Sequence, residues 1–134
     1  MEIIEGKMPF TGYGTYYRIV GRRSEKTPLV LLHGGPGSSH NYFEVLDKLA
    51  EIDNRRIIMY DQLGCGKSSI PDDHPELYTK ETWVKELMAL REHLALRKIH
   101  LLGQSWGGML ALIYMCDYHP AGIQSLILSS TLSS

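Results

Sequence analysis

A single serine lies between two glycines in the segment Gly103-Gln104-Ser105-Trp106-Gly107, which has the form G-x-S-x-G. The segment follows a predicted buried strand and opens a predicted helix, which is the context of a nucleophile elbow. Such a tight turn brings the positions two before and two after the serine together, so both must be glycine. Ser105 is therefore the candidate nucleophile. The backbone N–H of Trp106, at the positive end of the helix, is a candidate oxyanion donor.

A glycine-rich loop at residues 33–37, with the sequence HGGPG, supports the catalytic interpretation over a plain turn. It follows Leu29–Leu32, a short apolar run that predicts a strand covered on both faces. The second oxyanion N–H of a nucleophile elbow comes from a loop of this kind. Together the two segments favour acyl transfer through a serine, in which one oxyanion donor typically contributes roughly 3–4 kcal/mol.

The segment Leu63–Ser69, LGCGKSS, contains the glycine, lysine and serine of a phosphate-binding loop but not its full pattern. The pattern G-x-x-x-x-G-K-[ST] places Asp61 at the first glycine, where a carboxylate would repel phosphate. Residues 70–73 predict a turn rather than the helix that such a loop requires. We therefore interpret Gly64 and Gly66 as turn residues, expect Asp61 to bond the loop backbone, and expect no cofactor.

These segments must be positioned by regular elements. The pattern predicts strands over 2–8, 14–20, 29–32, 57–60, 99–103 and 123–128, and helices after Asn41, over 79–96 and over 106–118. Residues 9–12 predict the first turn, and Glu86 is expected off the apolar face of the second helix. Strands and helices alternate at βαβ spacing, which predicts an α/β fold with a mostly parallel sheet and helices on both faces. Functional residues of such sheets lie at the carboxyl ends of the strands.

The composition is that of an ordinary globular domain, with 43% hydrophobic residues, 22% charged residues and a net charge of -1. This balance gives no global field for nucleic acid or an anionic membrane, and the longest apolar run, Met109–Cys116, is too short to cross a bilayer. Cys65 and Cys116 form no CxxC pair or zinc spacing, so we expect reduced thiols and no metal. The first ten residues lack the apolar core of a signal peptide, so we expect a cytoplasmic protein.

Three segments, HGGPGSSHNYF, YDQLGCGKSS and GQSWGGMLALIY, closely resemble the proline iminopeptidases (prolyl aminopeptidases) of the α/β-hydrolase fold, most of all those of lactic acid bacteria. The resemblance covers the whole chain but only the N-terminal half of the family, so residues 1–134 form a partial domain. It implies metal-free release of N-terminal proline from peptides, with Ser105 as nucleophile and the N–H groups of Gly35 and Trp106 as oxyanion donors. The family loop commonly reads D-Q-R-G-x-G-x-S; Leu63 replaces that arginine, which weakens no catalytic assignment.

A serine nucleophile also needs a histidine base and an acid, which in this fold follow the serine in the chain. Only Asp117 and His119 follow Ser105, and a helix rise of about 1.5 Å per residue puts His119 about 20 Å away. Upstream, we interpret His33 as structural; His40 could approach the site, but nothing in the sequence orients it. The resemblance implies that the triad acid and histidine, the cap and the last strands are not in this chain.

Three interpretations of function stay open. The chain is part of a prolyl aminopeptidase and turns over poorly alone, or part of another hydrolase of this fold, such as an esterase or amidase, or a non-catalytic remnant. The strand at 123–128 lacks its usual neighbour, so we also expect an exposed apolar edge through which the isolated chain self-associates.

Overall fold

A computed structural model of the chain describes residues 2–34, 40–71 and 73–129, with the backbone alone for residues 40–45. Within these residues, six strands and three α-helices form one layered unit. In chain order they are β1 (Ile3–Phe10), β2 (Tyr13–Val20), β3 (Leu29–Leu32), α1 (His40–Asp53), β4 (Ile57–Tyr60), α2 (Lys80–His93), β5 (Ile99–Gln104), α3 (Trp106–Tyr118) and β6 (Ile123–Ser129), with a 3₁₀ turn at Pro75–Leu77.

The strands form one sheet in the order β1-β2-β4-β3-β5-β6. The last four strands of the chain are parallel, whereas β1 and β2 form an antiparallel hairpin that adds to β4. The sheet is therefore mixed, and its parallel part is the one predicted from residue 29 onward. Leu32 of β3 pairs with Gly103 of β5, so the carboxyl ends of these two strands lie side by side.

Two apolar cores lie on opposite faces of the sheet, as the alternation of side chains along each strand requires. On one face, α1 contributes Leu46 and Ala50 to a cluster with Val20, Leu29, Leu31, Ile57 and Met59. On the other face, α2 and α3 pack against the larger cluster, which includes Val30, Leu32, Ile58, Tyr60 and Leu101. The prediction of helices on both faces is confirmed.

The first turn is shorter than the predicted 9–12 segment. Thr11 and Gly12 alone connect β1 and β2, with φ of 49° and 83°. Two successive residues at positive φ form the tight hairpin turn whose twist suits antiparallel strands, so pairing continues up to Phe10 and Tyr13. Pro9 therefore lies within β1, an edge strand, where proline is tolerated.

The helices start and end slightly away from the predicted positions. Helix α1 begins at His40, so Asn41 is inside it rather than before it. Helix α2 is capped by the Thr79 side chain, which accepts from the Thr82 N–H at 3.2 Å. It ends three residues before the predicted Leu96, because Ala95 adopts φ of 55° and breaks the helical path. No helix in the described part of the chain is long and apolar enough to cross a membrane.

Candidate active site

Ser105 occupies the junction between β5 and α3 in an unusual backbone conformation, with φ of 55° and ψ of -117°. Such values are unfavourable for a residue with a Cβ atom, and they persist only where the surrounding structure enforces them. The side chain does not cap α3, although Ser105 occupies the cap position. The predicted strained turn is therefore present, and its hydroxyl is not used to close the helix end.

The two glycines around Ser105 are required by different neighbours. A Cβ atom on Gly103 would lie 2.7 Å from the Cα atom of Gly108 and would also overlap the Gly107 carbonyl group. A Cβ atom on Gly107 would overlap the carbonyl oxygen of Leu32 and lie 2.8 Å from that of His33. The predicted approach of residues 103 and 107 is thus confirmed, and the end of β3 is a second reason for glycine at 107.

The start of the HGGPG loop lies directly beside the serine turn. A Cβ atom on Gly34 would lie 3.2 Å from the Ser105 Cβ atom and 3.8 Å from its hydroxyl oxygen. The next residue, Gly35, lies outside the described residues, so its N–H stays a predicted oxyanion donor. Trp106 is the first residue of α3, where a backbone N–H has no acceptor within the helix, so it remains the other candidate donor.

Gln62 links both sides of this turn, and the sequence analysis did not identify it. Its backbone N–H donates to the His33 Nε2 atom at 3.0 Å, and its side-chain Nε2 donates to the His33 carbonyl at 3.0 Å. Its Oε1 atom accepts from the Trp106 indole Nε1 at 3.1 Å. The His33 Nδ1 atom in turn contacts the Gly34 carbonyl. His33 therefore has the structural role expected for it.

Helix α2 holds the residue that follows Gln62. The Leu63 N–H donates to both carboxyl oxygens of Glu86, at 3.1 and 3.0 Å, and the Trp83 indole donates to the Leu63 carbonyl at 3.1 Å. Glu86 also accepts from the Thr15 hydroxyl at 2.6 Å. Its side chain is 0% exposed, which corrects the expectation that it lies off the apolar face. Burial raises the pKa of Glu86 to about 7, although the bonds from Thr15 and Leu63 act to lower it.

The segment Leu63–Ser69 forms a closed turn rather than a phosphate-binding loop. The Lys67 N–H donates to the Asp61 carboxylate at 2.8 Å, and Gly66 has φ of 51° with its Cα against that carboxylate. The Ser68 hydroxyl donates to the Asp61 carbonyl and accepts from the Tyr16 N–H at 2.8 Å. In the described part of the chain, a short 3₁₀ turn and not an α-helix comes next. The predicted role of Asp61 is confirmed.

None of the described histidines has Ser105 as a hydrogen-bond partner. His119 ends α3 at φ of 46° with an exposed side chain, at the opposite end of that helix. The others are His74 with Glu76, His93 with Tyr17, and His100 with Ser125. The His40 side chain lies outside the described residues. Among the residues that are described, no group of histidine, cysteine, aspartate and glutamate side chains could hold a metal ion.

Comparison of the sequence with known proteins identifies relatives of this chain. The proline iminopeptidase of Lactobacillus crispatus (strain ST1) is 97% identical over 134 residues, which are 100% of this chain and 46% of that protein. The proline iminopeptidase of Lactobacillus delbrueckii subsp. lactis also matches over 100% of this chain and 46% of its own length. The chain thus spans about half the length of the curated relatives it matches. These matches confirm the resemblance inferred from the three sequence segments.

Two crystal structures share the fold. VinJ superimposes with a TM-score of 0.81 at 39% identity, over 93% of this chain and 43% of that one. The proline iminopeptidase of Mycobacterium smegmatis gives 0.79 at 36% identity, over 92% of this chain and 42% of that one. A family model described as the alpha/beta hydrolase fold matches residues 27–134. Because this model covers most of the chain, the chain belongs to the α/β-hydrolase fold family.

Proposed function

We propose that these residues form the nucleophile-bearing part of a proline iminopeptidase, which releases N-terminal proline from peptides. The observation that carries the proposal is the 97% identity to the Lactobacillus crispatus enzyme, which extends over the whole chain. The strained Ser105 at the end of β5 supports it, because a serine raised on such a turn is what acyl transfer needs.

In the proposed reaction, the Ser105 hydroxyl attacks the carbonyl carbon of the substrate's first residue. The N–H groups of Trp106 and Gly35 bind the oxyanion that forms, aided by the positive end of α3. A histidine outside this chain takes the serine proton and gives it to the leaving amine. Water then attacks the acyl-enzyme and releases proline. The isolated chain should turn over poorly, since it lacks that base.

A second hydrolase chemistry on the same fold remains the main alternative, because the part of the protein that selects the substrate is not among these residues. The two are separated with a completed chain, in which residues 1–134 are joined to the remainder of the Lactobacillus crispatus enzyme. Its substrates are proline p-nitroanilide, alanine p-nitroanilide and a p-nitrophenyl ester. The proposal requires preferential cleavage of the proline amide; cleavage of the ester alone favours an esterase.

The serine assignment needs its own control. In the completed chain, Ser105→Ala should abolish turnover, whereas Ser24→Ala, in the polar loop between β2 and β3, should leave it unchanged. A chelator should have no effect on the rate. Wild-type turnover by Ser105→Ala refutes the nucleophile, and loss of activity with the chelator refutes a metal-free mechanism.

We further propose that the protein works in the cytoplasm. Cys65 is half-buried and Cys116 is exposed, and both are free thiols. An exposed free thiol is compatible with a reducing compartment. Localisation of a tagged completed chain by cell fractionation tests this; recovery in the culture medium or the membrane fraction contradicts it.

A further inference from the structure

We propose that Gln62 is a positioning residue for the oxyanion site, which it sets by fixing His33 and Trp106 relative to each other. This inference rests on the proposed function, because Gln62 acts through the residues beside the two donors. Trp106 supplies one proposed donor itself, and His33 begins the loop that contains the other. Gln62 lies just after β4, and no motif of the sequence analysis assigned it a role.

Gln62 is buried, and its backbone N–H and both polar atoms of its side chain form hydrogen bonds. Gln62 is 1% exposed, and its three hydrogen bonds connect the end of β4 to the end of β3 and the start of α3. These bonds span 29 residues to His33 and 44 residues to Trp106 along the chain. One buried residue therefore connects the start of the loop to the serine turn.

The orientation of the amide follows from its partners. The Nε2 atom faces a carbonyl oxygen, which only accepts, and the Oε1 atom faces an indole N–H, which only donates. A reversed amide would place two acceptors together and two donors together. Likewise, the His33 Nε2 atom accepts from the Gln62 backbone, so its Nδ1 atom carries the proton and donates to the Gly34 carbonyl. Each group has one compatible arrangement, so the set resists alternative positions.

A merely structural glutamine is the competing explanation. Burying an amide gains little stability over an apolar residue of the same size, since its desolvation offsets most of the hydrogen-bond energy. All of its partners here belong to His33, the first residue of the HGGPG loop, or to Trp106, which follows Ser105. Small displacements at such positions cost rate, because oxyanion donors act on the transition state and not on the bound substrate.

The test uses the completed chain with Gln62→Glu, which keeps the size and the acceptor for Trp106 but removes the donor to the His33 carbonyl. We expect kcat for proline p-nitroanilide to fall about 10- to 100-fold at pH 8, with KM within about twofold. At lower pH the ratio of variant to wild-type kcat should rise, since a protonated carboxyl group again donates to that carbonyl. Gln124→Glu, the same change at an exposed glutamine, should leave both constants unchanged.

Inhibitor binding separates positioning from folding. Prolyl boronic acid forms a tetrahedral adduct with a serine nucleophile, so its affinity should fall with Gln62→Glu by about the same factor as kcat. Inhibition by free proline should not change. Gln62→Met removes both side-chain polar contacts. In the folded molecules, whose share is measured by a cooperative thermal melt, kcat and boronate affinity should fall together.

Two results overturn the inference. One is wild-type kcat and boronate affinity in both Gln62 variants; the other is a loss of activity fully accounted for by the unfolded fraction, with no pH-dependent recovery. If the wild-type completed chain cleaves the ester but not the proline amide, the proposed function fails, and the same comparison on the ester decides the role of Gln62. If it cleaves neither substrate, both proposals fail.

Discussion

The carbonyl oxygen of Leu32 lies directly against the Cα atom of Gly107, at a separation that leaves no room for a Cβ atom. The end of β3 and the first turn of α3 are therefore in backbone contact, one residue before the HGGPG loop and two residues after Ser105. Neither a side chain nor a small shift of the helix fits between them without moving the serine turn.

Replacing Gly107 by alanine should destabilise the completed chain by more than about 2 kcal/mol, because an overpacked backbone contact must move. The adjacent Gly108→Ala is the matched control, since its nearest atom, the Gly103 oxygen, is 3.4 Å from the added Cβ. In that helical position alanine should be neutral or stabilising by up to about 1 kcal/mol. Urea denaturation of both variants measures the difference; equal stabilities contradict the contact.

Glu86 should make folding less favourable as the pH rises. Its pKa is raised from the ordinary 4.5 to about 7 by burial, so the native state keeps a proton that the unfolded chain releases at lower pH. The free energy of unfolding should fall between about pH 4.5 and 7 and level off above, which is the sign expected for a raised acid pKa. Glu86→Gln should remove this part of the slope.

The measurement is urea denaturation of the completed chain between pH 4.5 and 8, with the difference between variant and wild type plotted against pH. Glu92→Gln, at an exposed glutamate of the same helix, serves as the control. For Glu86→Gln the stability difference should shift in favour of the variant with rising pH; a difference independent of pH contradicts the raised pKa of the buried carboxyl group.

Arg18 should stabilise the attachment of α1 through its geometry as well as its charge. Its guanidinium donates to both carboxylate oxygens of Asp47, at 2.8 and 2.9 Å, and the two side chains are only 16% and 19% exposed. Arg18→Lys keeps the charge but loses one of the two parallel bonds, so we expect a loss of about 1 kcal/mol. The more exposed Lys26–Asp53 pair is the control.

For that control, Lys26→Gln should cost less stability than Arg18→Lys, because an ion pair with side chains 45% and 38% exposed is screened by water. Thermal melts at low and high salt compare the two variants. The assignment is wrong if Arg18→Lys is as stable as the wild type.

The isolated 134-residue chain should self-associate through β6. Within the described residues β6 pairs only with β5, and Ile127 and Leu128 are 45% and 49% exposed. An unpaired strand edge beside exposed apolar side chains favours pairing with another chain. Sedimentation velocity should show species larger than a monomer, reduced by Ile127→Lys but not by Ile52→Lys, a change at an apolar residue of α1 that is 83% exposed. A monodisperse wild-type monomer would refute this expectation.

The sequence predicts the parts of this molecule whose causes are local. The buried strands at 29–32 and 57–60 and the helix at 106–118 have the predicted bounds, because apolar runs and the glycines around Ser105 mark them directly. The length of the first turn was overestimated. Residues 9–12 all favour turns, but two of them at positive φ, Thr11 and Gly12, are enough to connect the strands. These differences are small because each depends on a few neighbouring residues.

The contacts that complete the candidate site are not local and could not be predicted. Gln62 meets partners 29 and 44 residues away. It belongs to the family loop D-Q-R-G-x-G-x-S, but that loop does not show what its side chain contacts. Glu86 was expected off the apolar face of its helix, and its contacts with Thr15 and Leu63 show that it is buried. Signals of this kind require the strand order, which places β4 between β2 and β3.

The two tryptophans of the chain give this site an optical signature. The rings of Trp83 and Trp106 pack edge to face with their centroids 5.8 Å apart. The Trp83 indole donates to Leu63, and the Trp106 indole donates to the adjacent Gln62. The ultraviolet emission and near-ultraviolet circular dichroism of tryptophan in this segment thus originate within the framework around Ser105. Both indole rings lie in the same small region, so a change in their spectra reports a change in the serine turn or in the residues that contact it.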